Sequence, residues 1–202
     1  MRVADMVHSS KIYGPGKRTV VWLQGCSIRC DNCWNDELWS FKGGRFMMNH
    51  EIIQHVETHC DEGITLLGGE PLDQPKRVLQ FIEHAQSLGI NVLLYTGYEL
   101  HELSKIQRQC VELADIVIHG RYMHELRSLN LLWRGSTNQE ILINNEKFRD
   151  IDLTEKRQME VHIDSMGQTK VVGYPTEELV ESVSLLNGKM KSFKLDGDRV
   201  EV

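Results

Sequence analysis

The sequence predicts an α/β fold of parallel βα units with a small α+β appendage at its C-terminal end. Three observations predict it. Short β-rich apolar runs alternate with stretches of helical periodicity. The runs end in glycine or polar turn residues, where loops carry function. After about Asp150 the chain turns charged and then resumes with shorter elements. The 202 residues are therefore divided into a core of residues 1–149 and an extension of residues 150–202.

The first strand runs through Thr19-Val20-Val21-Trp22-Leu23 and delivers a cysteine loop at its C-terminal end. Asn49 is the expected cap of a helix whose Ile52, Ile53 and Val56 share one face. Gly63 to Leu67 reads as a buried strand ending at Gly68-Gly69-Glu70-Pro71. Pro75 opens a helix with Val78, Leu79, Phe81, Ile82 and Ala85 on its apolar side, and Gly89 stops it. The pattern repeats with a strand from Ile90 to Tyr95, the turn Thr96-Gly97-Tyr98, a helix from Glu99 to Leu113 and a strand from Asp115 to Ile118. In such sheets ligands gather beyond the carboxyl ends of the strands. The cysteine loop, Gly68 to Pro71, Thr96 to Tyr98 and His119-Gly120 all fall there.

Cys26, Cys30 and Cys33 are the sharpest feature. Three thiols at this spacing, interleaved with Arg29, Asp31, Asn32 and Asn35, make a ligand set rather than ordinary buried cysteines. Zinc would need a fourth ligand from distant His59, Cys60 or His50. A four-iron cluster on three cysteines keeps one iron open for a substrate or cofactor, and the ligand count favours it. Cys60 and Cys110 are too few to hold a second such cluster, so a single one is expected. The adjacent glycines Gly68 and Gly69 let backbone approach a ligand closely, and Glu70 offers an acceptor for a cationic group such as an amine.

Composition narrows the class. A net charge of −6 gives no footprint for a phosphate backbone, so no nucleic acid is expected as partner. No apolar run follows Met1-Arg2-Val3-Ala4-Asp5, which predicts no signal peptide or membrane span, a cytoplasmic location and reduced thiols.

The CxxxCxxC of Cys26, Cys30 and Cys33, followed by Gly68-Gly69-Glu70-Pro71, resembles the radical S-adenosylmethionine (SAM) superfamily. Within it the chain is most similar to the anaerobic ribonucleotide reductase activating proteins. Cys33-Trp34-Asn35, Tyr95 to Tyr98, Asp115 to Tyr122 and the run Leu132-Trp133-Arg134-Gly135-Ser136-Thr137-Asn138-Gln139 carry the narrower likeness. The resemblance implies a partial (β/α) barrel of radical SAM type. It implies that Cys26, Cys30 and Cys33 hold a [4Fe-4S] cluster, the centre of catalysis, and that SAM chelates the fourth iron. Gly68, Gly69, Glu70 and Pro71 would receive the SAM amino group, Thr96 and Gly97 would lie near its methionine moiety, and Asn35 adds a further cofactor contact. His119 is either a SAM contact or a strand-end histidine bonded to backbone, and Arg134 contacts either SAM or a carboxylate of the partner. The implied reaction is one-electron cleavage of SAM to a 5'-deoxyadenosyl radical that takes hydrogen from a glycine of a glycyl radical enzyme, with a flavodoxin-like reductant.

Where many such proteins have an aspartate this chain has His119, and Asn32 stands where an aromatic often precedes the third cysteine. A radical SAM enzyme acting on a small molecule or nucleotide, of deazaguanine type, shares the cysteine and Gly-Gly-Glu-Pro signals but not the Trp133 to Gln139 run. A metal-stabilised interaction domain without enzymatic activity would leave Glu70 incidental. In the extension, Met159 to Asp164 and Thr169 to Val172 predict a hairpin, Pro175 to Leu186 a helix, and Lys191 to Val202 a fold-back around Asp196-Gly197. The extension is expected to cap the sheet or to dock a substrate.

Overall fold

The computed structural model describes residues 1–154, 159–163, 166, 167, 169–173, 182, 194, 195, 198 and 199. Ten elements make the core: β1 (Arg2–Ser10), β2 (Arg18–Leu23), β3 (Arg45–Phe46), α1 (Asn49–His59), β4 (Gly63–Gly68), α2 (Pro75–Ser87), β5 (Asn91–Thr96), α3 (Lys105–Leu113), β6 (Ile116–His119) and β7 (Glu140–Ile143). They form a seven-stranded sheet in the order β3-β1-β2-β4-β5-β6-β7. The central strands β2, β4, β5 and β6 are parallel, and β1 and β7 flank them antiparallel.

The direction of winding decides where the site can be. Each crossover in the parallel part advances one strand the same way, and crossovers of this kind share one hand. The three helices therefore fall on one face. Ile52, Ile53 and Val56 of α1, Val78, Phe81 and Ile82 of α2, and Val111 of α3 pack there against Val21, Leu23, Ile64, Leu66, Leu94 and Val117. Each such side chain stabilises by about 1.5–3 kcal/mol when fully buried, more than local propensity supplies. Alternate residues of the same strands, Val20, Trp22, Leu67, Leu93, Ile116 and Ile118, face the other way. That face is left for ligands and loops.

The strands and helices predicted for residues 19–118 are present, with local differences. Met48, not Asn49, is the cap position of α1, because the Glu51 carboxylate folds back to accept the Met48 backbone N–H. The helix expected from Glu99 to Leu113 is broken into a turn at Leu100–Glu102 and α3. Ser104 causes the break: its N–H and hydroxyl both donate to Gln107 Oε1, at 2.9 and 2.8 Å, which starts a new helix. β1, β3 and β7 were not expected.

At the N-terminal end of the sheet Arg18 is fully buried, and burial lowers its pKa to about 10, so it stays charged at neutral pH. Its guanidinium donates to Thr65 Oγ1, the Pro15 and Ile64 carbonyls and Asn91 Oδ1 at 2.6 to 3.0 Å. That network joins β2, β4 and β5 below the site.

In the extension β8 (Met159–Ile163) pairs with β9 (Thr169–Gly173) as the expected antiparallel hairpin. β10 (Lys194–Leu195) pairs with β11 (Asp198–Arg199) on either side of residues 196 and 197. Apart from Ser182, the helix expected from Pro175 to Leu186 lies outside the described residues. The β8–β9 hairpin lies on the helix-free face. Val172 is buried with Val7, Val20, Trp22, Leu38 and Leu67. Lys170 Nζ reaches Asp5 Oδ2 at 2.6 Å, the Gly173 N–H donates to Tyr13 Oη at 3.0 Å, and the Lys11 N–H donates to Glu160 Oε1 at 2.6 Å.

Candidate active site

The C-terminal ends of β2, β4 and β5 meet in register, Leu23 beside Gly68 and Leu66 beside Leu94. Three loops leave this edge together. The cysteine loop closes on itself, Gly25 N–H to the Leu38 carbonyl at 2.9 Å and Cys26 N–H to the Trp39 carbonyl at 3.2 Å. Within it Arg29 and Asn32 take left-handed backbone conformations, φ 53° and 52°. Asparagine tolerates that region better than most residues, which accounts for Asn32 beside Cys33.

Gly68 and Gly69 serve the contact between loops. Gly69 N–H donates to the Leu23 carbonyl and Glu70 N–H to the Gly25 carbonyl, both at 2.8 Å. A Cβ on Gly69 would sit on the Gly25 carbonyl oxygen. Close approach of the chain to itself is thus what this glycine permits. Gly97 likewise faces Ile28 of the cysteine loop, where a Cβ would come within 2.8 Å of its side chain.

Glu70 is the electrostatic centre of the edge. It is 2% exposed. Oε1 accepts from the Leu72 N–H at 2.8 Å and the Thr96 hydroxyl at 2.9 Å, and Oε2 accepts from the Gly97 N–H at 2.8 Å. Burial pushes its pKa up to about 7 against the pull of these three donors. A carboxylate has about four lone-pair positions, so one on Oε2 remains for a further donor.

The cysteine loop is tied down by a triangle that sequence reasoning missed. Asp73 Oδ2 accepts from the Ser27 N–H at 2.7 Å, Oδ1 accepts from the Ser27 hydroxyl at 2.9 Å, and Tyr98 Oη donates to Oδ1 at 2.9 Å. In sequence Asp73 looks like any turn aspartate; its place two residues past Pro71 was the available signal. A second tie is the Arg127 guanidinium stacked 4.6 Å over the Trp34 ring.

These loops rim a cavity of about 1310 Å³ on the helix-free face. Cys26, Cys30, Cys33, Asn35, Gly68, Gly69, Glu70, Thr96 and Gly97 line it, together with Trp133 and Gln139. Three expected residues do not. Pro71 is buried beneath the edge at the start of a turn. His119 shares the helix-side face of β6 with Val117, and its Nε2 lies 3.7 Å from Glu140 Oε2 on β7. Arg134 turns back along its own loop, Nη1 donating to the Gln139 carbonyl at 3.2 Å. That loop is organised by Gln139, whose Oε1 accepts from the Gly135 and Ser136 N–H groups and whose Nε2 donates to the Gly120 carbonyl.

The thiols suit an iron-sulfur cluster. Burial raises the pKa of all three, and the neighbouring Cys33 raises that of Cys30 further, so a bound cation is needed to hold them as thiolates. Among the described residues, the His, Cys, Asp and Glu ligand atoms that gather within 4.8 Å of one another are those of His8, His55 and His59. The three thiols are spread more widely, as ligands of a multi-iron cluster are, and His59 converges with other histidines rather than with them.

The comparisons agree with this donor set. The model of the 4Fe-4S single cluster domain family matches residues 12–142. The anaerobic ribonucleoside-triphosphate reductase-activating protein of Salmonella typhimurium is 33% identical over 140 residues, covering 64% of this chain and 90% of that one. The protein of the same name from Enterobacteria phage T4 is 29% identical over 143 residues, covering 67% and 89%. The crystal structure of QueE from Escherichia coli is similar at a TM-score of 0.44 and 14% identity, over 58% of this chain and 69% of that one, too weakly to bear on fold or function.

By class this is a single-cluster [4Fe-4S] protein. More narrowly, the chain belongs to the anaerobic ribonucleoside-triphosphate reductase-activating proteins of the radical SAM superfamily, enzymes whose cofactors are one [4Fe-4S] cluster and SAM.

Proposed function

We propose that this chain activates an anaerobic ribonucleotide reductase by removing a hydrogen atom from a backbone glycine of that enzyme, with Cys26, Cys30 and Cys33 as the cluster ligands. The carrying observation is that the three cysteines and Glu70 line one cavity at the C-terminal edge of parallel strands. Held by Cys26, Cys30 and Cys33, the cluster would supply the electron for reductive cleavage of bound SAM, the source of the hydrogen-abstracting 5'-deoxyadenosyl group.

The chain's own part is positional. The lone pair left on Glu70 Oε2 would receive the SAM ammonium, while the Thr96 hydroxyl and the Gly97 N–H fix the carboxylate. The Asp73 triangle holds Ser27 and with it the cysteine loop at a set height above this acceptor. Trp133 and the Gln139-braced loop form the opposite wall, and Tyr95 Oη anchors it by donating to the Trp133 carbonyl at 2.8 Å. The cavity of about 1310 Å³ has room for SAM beside the cluster.

We read the core, residues 1–149, as a partial (β/α) barrel, on the grounds that its strands advance in one direction with their helices on one face. We read residues 150–202 as an extension, of which the β8–β9 hairpin covers the helix-free face beside β1 and β2. Among the described residues no helix is long and apolar enough to cross a membrane. A cytoplasmic location and a flavodoxin-like electron donor fit a radical chemistry that needs reducing conditions.

The test is transfer to the partner. The reconstituted, reduced chain with SAM and the anaerobic reductase of the same organism should give a glycyl-radical electron paramagnetic resonance signal. That signal should be absent when the reductase's radical-bearing glycine is replaced by alanine. 5'-Deoxyadenosine formed in amount with no radical on the reductase would instead support a small-molecule substrate.

A further inference from the structure

A second cluster of metal-binding side chains lies away from the cysteine loop. His8 is on β1, and His55 and His59 are four residues apart on α1, the spacing that places two imidazoles on one helix face. One ligand nitrogen from each lies within 4.8 Å of the others. β1 pairs Val7 with Val20, so His8 lies toward the start of β2, whereas the cysteines follow its end. At about 3.3 Å per strand residue the two places are more than about 10 Å apart.

Two independent details prepare the histidines as ligands. His59 Nδ1 lies 2.8 Å from the His55 carbonyl oxygen. A carbonyl only accepts, so Nδ1 carries the proton and Nε2 presents its lone pair, the backbone-anchored arrangement usual for ligating histidines. His8 Nδ1 is buried and has no hydrogen-bond partner. The backbone beside His8 is fixed by Asp61, which accepts from the Ser9 N–H at 3.0 Å, the Ser9 hydroxyl at 3.0 Å and the Thr19 hydroxyl at 2.7 Å.

We propose that His8, His55 and His59 form a site for a divalent transition-metal ion of the zinc class, distinct from the cluster. Three imidazoles leave a fourth position for water or another ligand, and imidazole selects Zn²⁺ and its neighbours over Mg²⁺ or Ca²⁺. His8 and His59 are also among the residues that line the large cavity. The rings stack on His8 with centroids 4.1 Å (His59) and 4.9 Å (His55) away and planes within 4° and 16° of parallel. An ion binds in the ring planes, so His8 and His55 turn about χ2, a soft torsion for histidine, to reach metal distances of about 2.0–2.1 Å, while the bond to the His55 carbonyl holds His59. The ion joins β1 to the last turn of α1.

The test uses protein whose cysteines already carry the reconstituted cluster. After exposure to Zn²⁺ and desalting, metal analysis should find one zinc per chain beyond the cluster iron. His55→Gln and His59→Gln should each weaken Zn²⁺ binding by at least roughly 10-fold with iron content and circular dichroism unchanged. His50→Gln, on the same helix but outside the cluster, should bind as the parent does. If a change on α1 perturbs the helix, His8→Gln on β1 gives the same reading. With Co²⁺ in place of zinc, X-ray absorption at the cobalt edge, which the cluster iron does not obscure, should show nitrogen and oxygen neighbours and no sulfur. Failure to retain zinc at micromolar concentration, equal retention in all the histidine variants, or sulfur neighbours around Co²⁺ would overturn the site and leave the imidazoles as a packing stack.

Discussion

Glu70 concentrates the chemistry of the site in a single side chain. The sequence marks it as an acceptor for an amine, yet three of its lone-pair positions are filled by the chain's own Leu72, Thr96 and Gly97. Those contacts lie 26 and 27 residues apart in sequence for Thr96 and Gly97, which is why no local pattern announces them. In the ligand-free chain burial holds the carboxyl near pKa 7, above its ordinary value. The folded state therefore favours the protonated form, so the stabilisation is complete below about pH 4.5 and is lost as pH rises through about 7. The ligand-free chain should lose on the order of 3 kcal/mol of stability between pH 4.5 and 8 from this group. Glu70→Gln should flatten that slope in denaturant titrations and weaken SAM binding by roughly 10-fold or more, with iron content unchanged. An unchanged slope would mean that Glu70 stays ionised throughout.

At the scale of elements, Asp73 holds the cysteine loop through the chain's own hydrogen bonds. Asp73→Ala removes two hydrogen bonds to Ser27 and one from Tyr98. These are exposed or partly so, and about 1–2 kcal/mol is the expected loss. Iron release to a chelator should quicken by roughly 10-fold, while thermal unfolding of the core moves little. Equal release rates would place the loop's rigidity elsewhere, for instance in the Arg127–Trp34 stack. The parallel strands were legible because they are apolar on both faces and read as continuous runs. β1 was not, because shifts of register between Val3 and Asp5 and between Val7 and Ser10 break its alternation and admit Asp5, His8 and Ser9. His119 could be placed at a strand end from sequence, but its direction is fixed by alternation along β6 and by Glu140 opposite it.

For the whole molecule, the one-sided winding of the sheet leaves an apolar face, and the β8–β9 hairpin covers the part of it next to β1 and β2. Val172 is buried against Val7, Val20 and Trp22, so the hairpin is a structural cover whatever else it does. Removing residues 150–202 should expose Trp22, lower solubility and increase binding of apolar dyes. A soluble truncated chain that still forms 5'-deoxyadenosine but no longer activates the reductase would assign the extension to docking instead. The site's motifs were legible because cysteine spacing and Gly-Gly-Glu-Pro are local; the packing that aims them is not.

In the proposed reaction the cysteine loop and Glu70 form one catalytic centre. Anaerobic reconstitution with iron and sulfide, reduction, and assay of 5'-deoxyadenosine from added SAM tests this most directly, with Cys30→Ala alongside. Product from the parent chain and none from Cys30→Ala is the predicted result. A fully loaded cluster that neither binds nor cleaves SAM, or cleavage that survives Cys30→Ala, would contradict it.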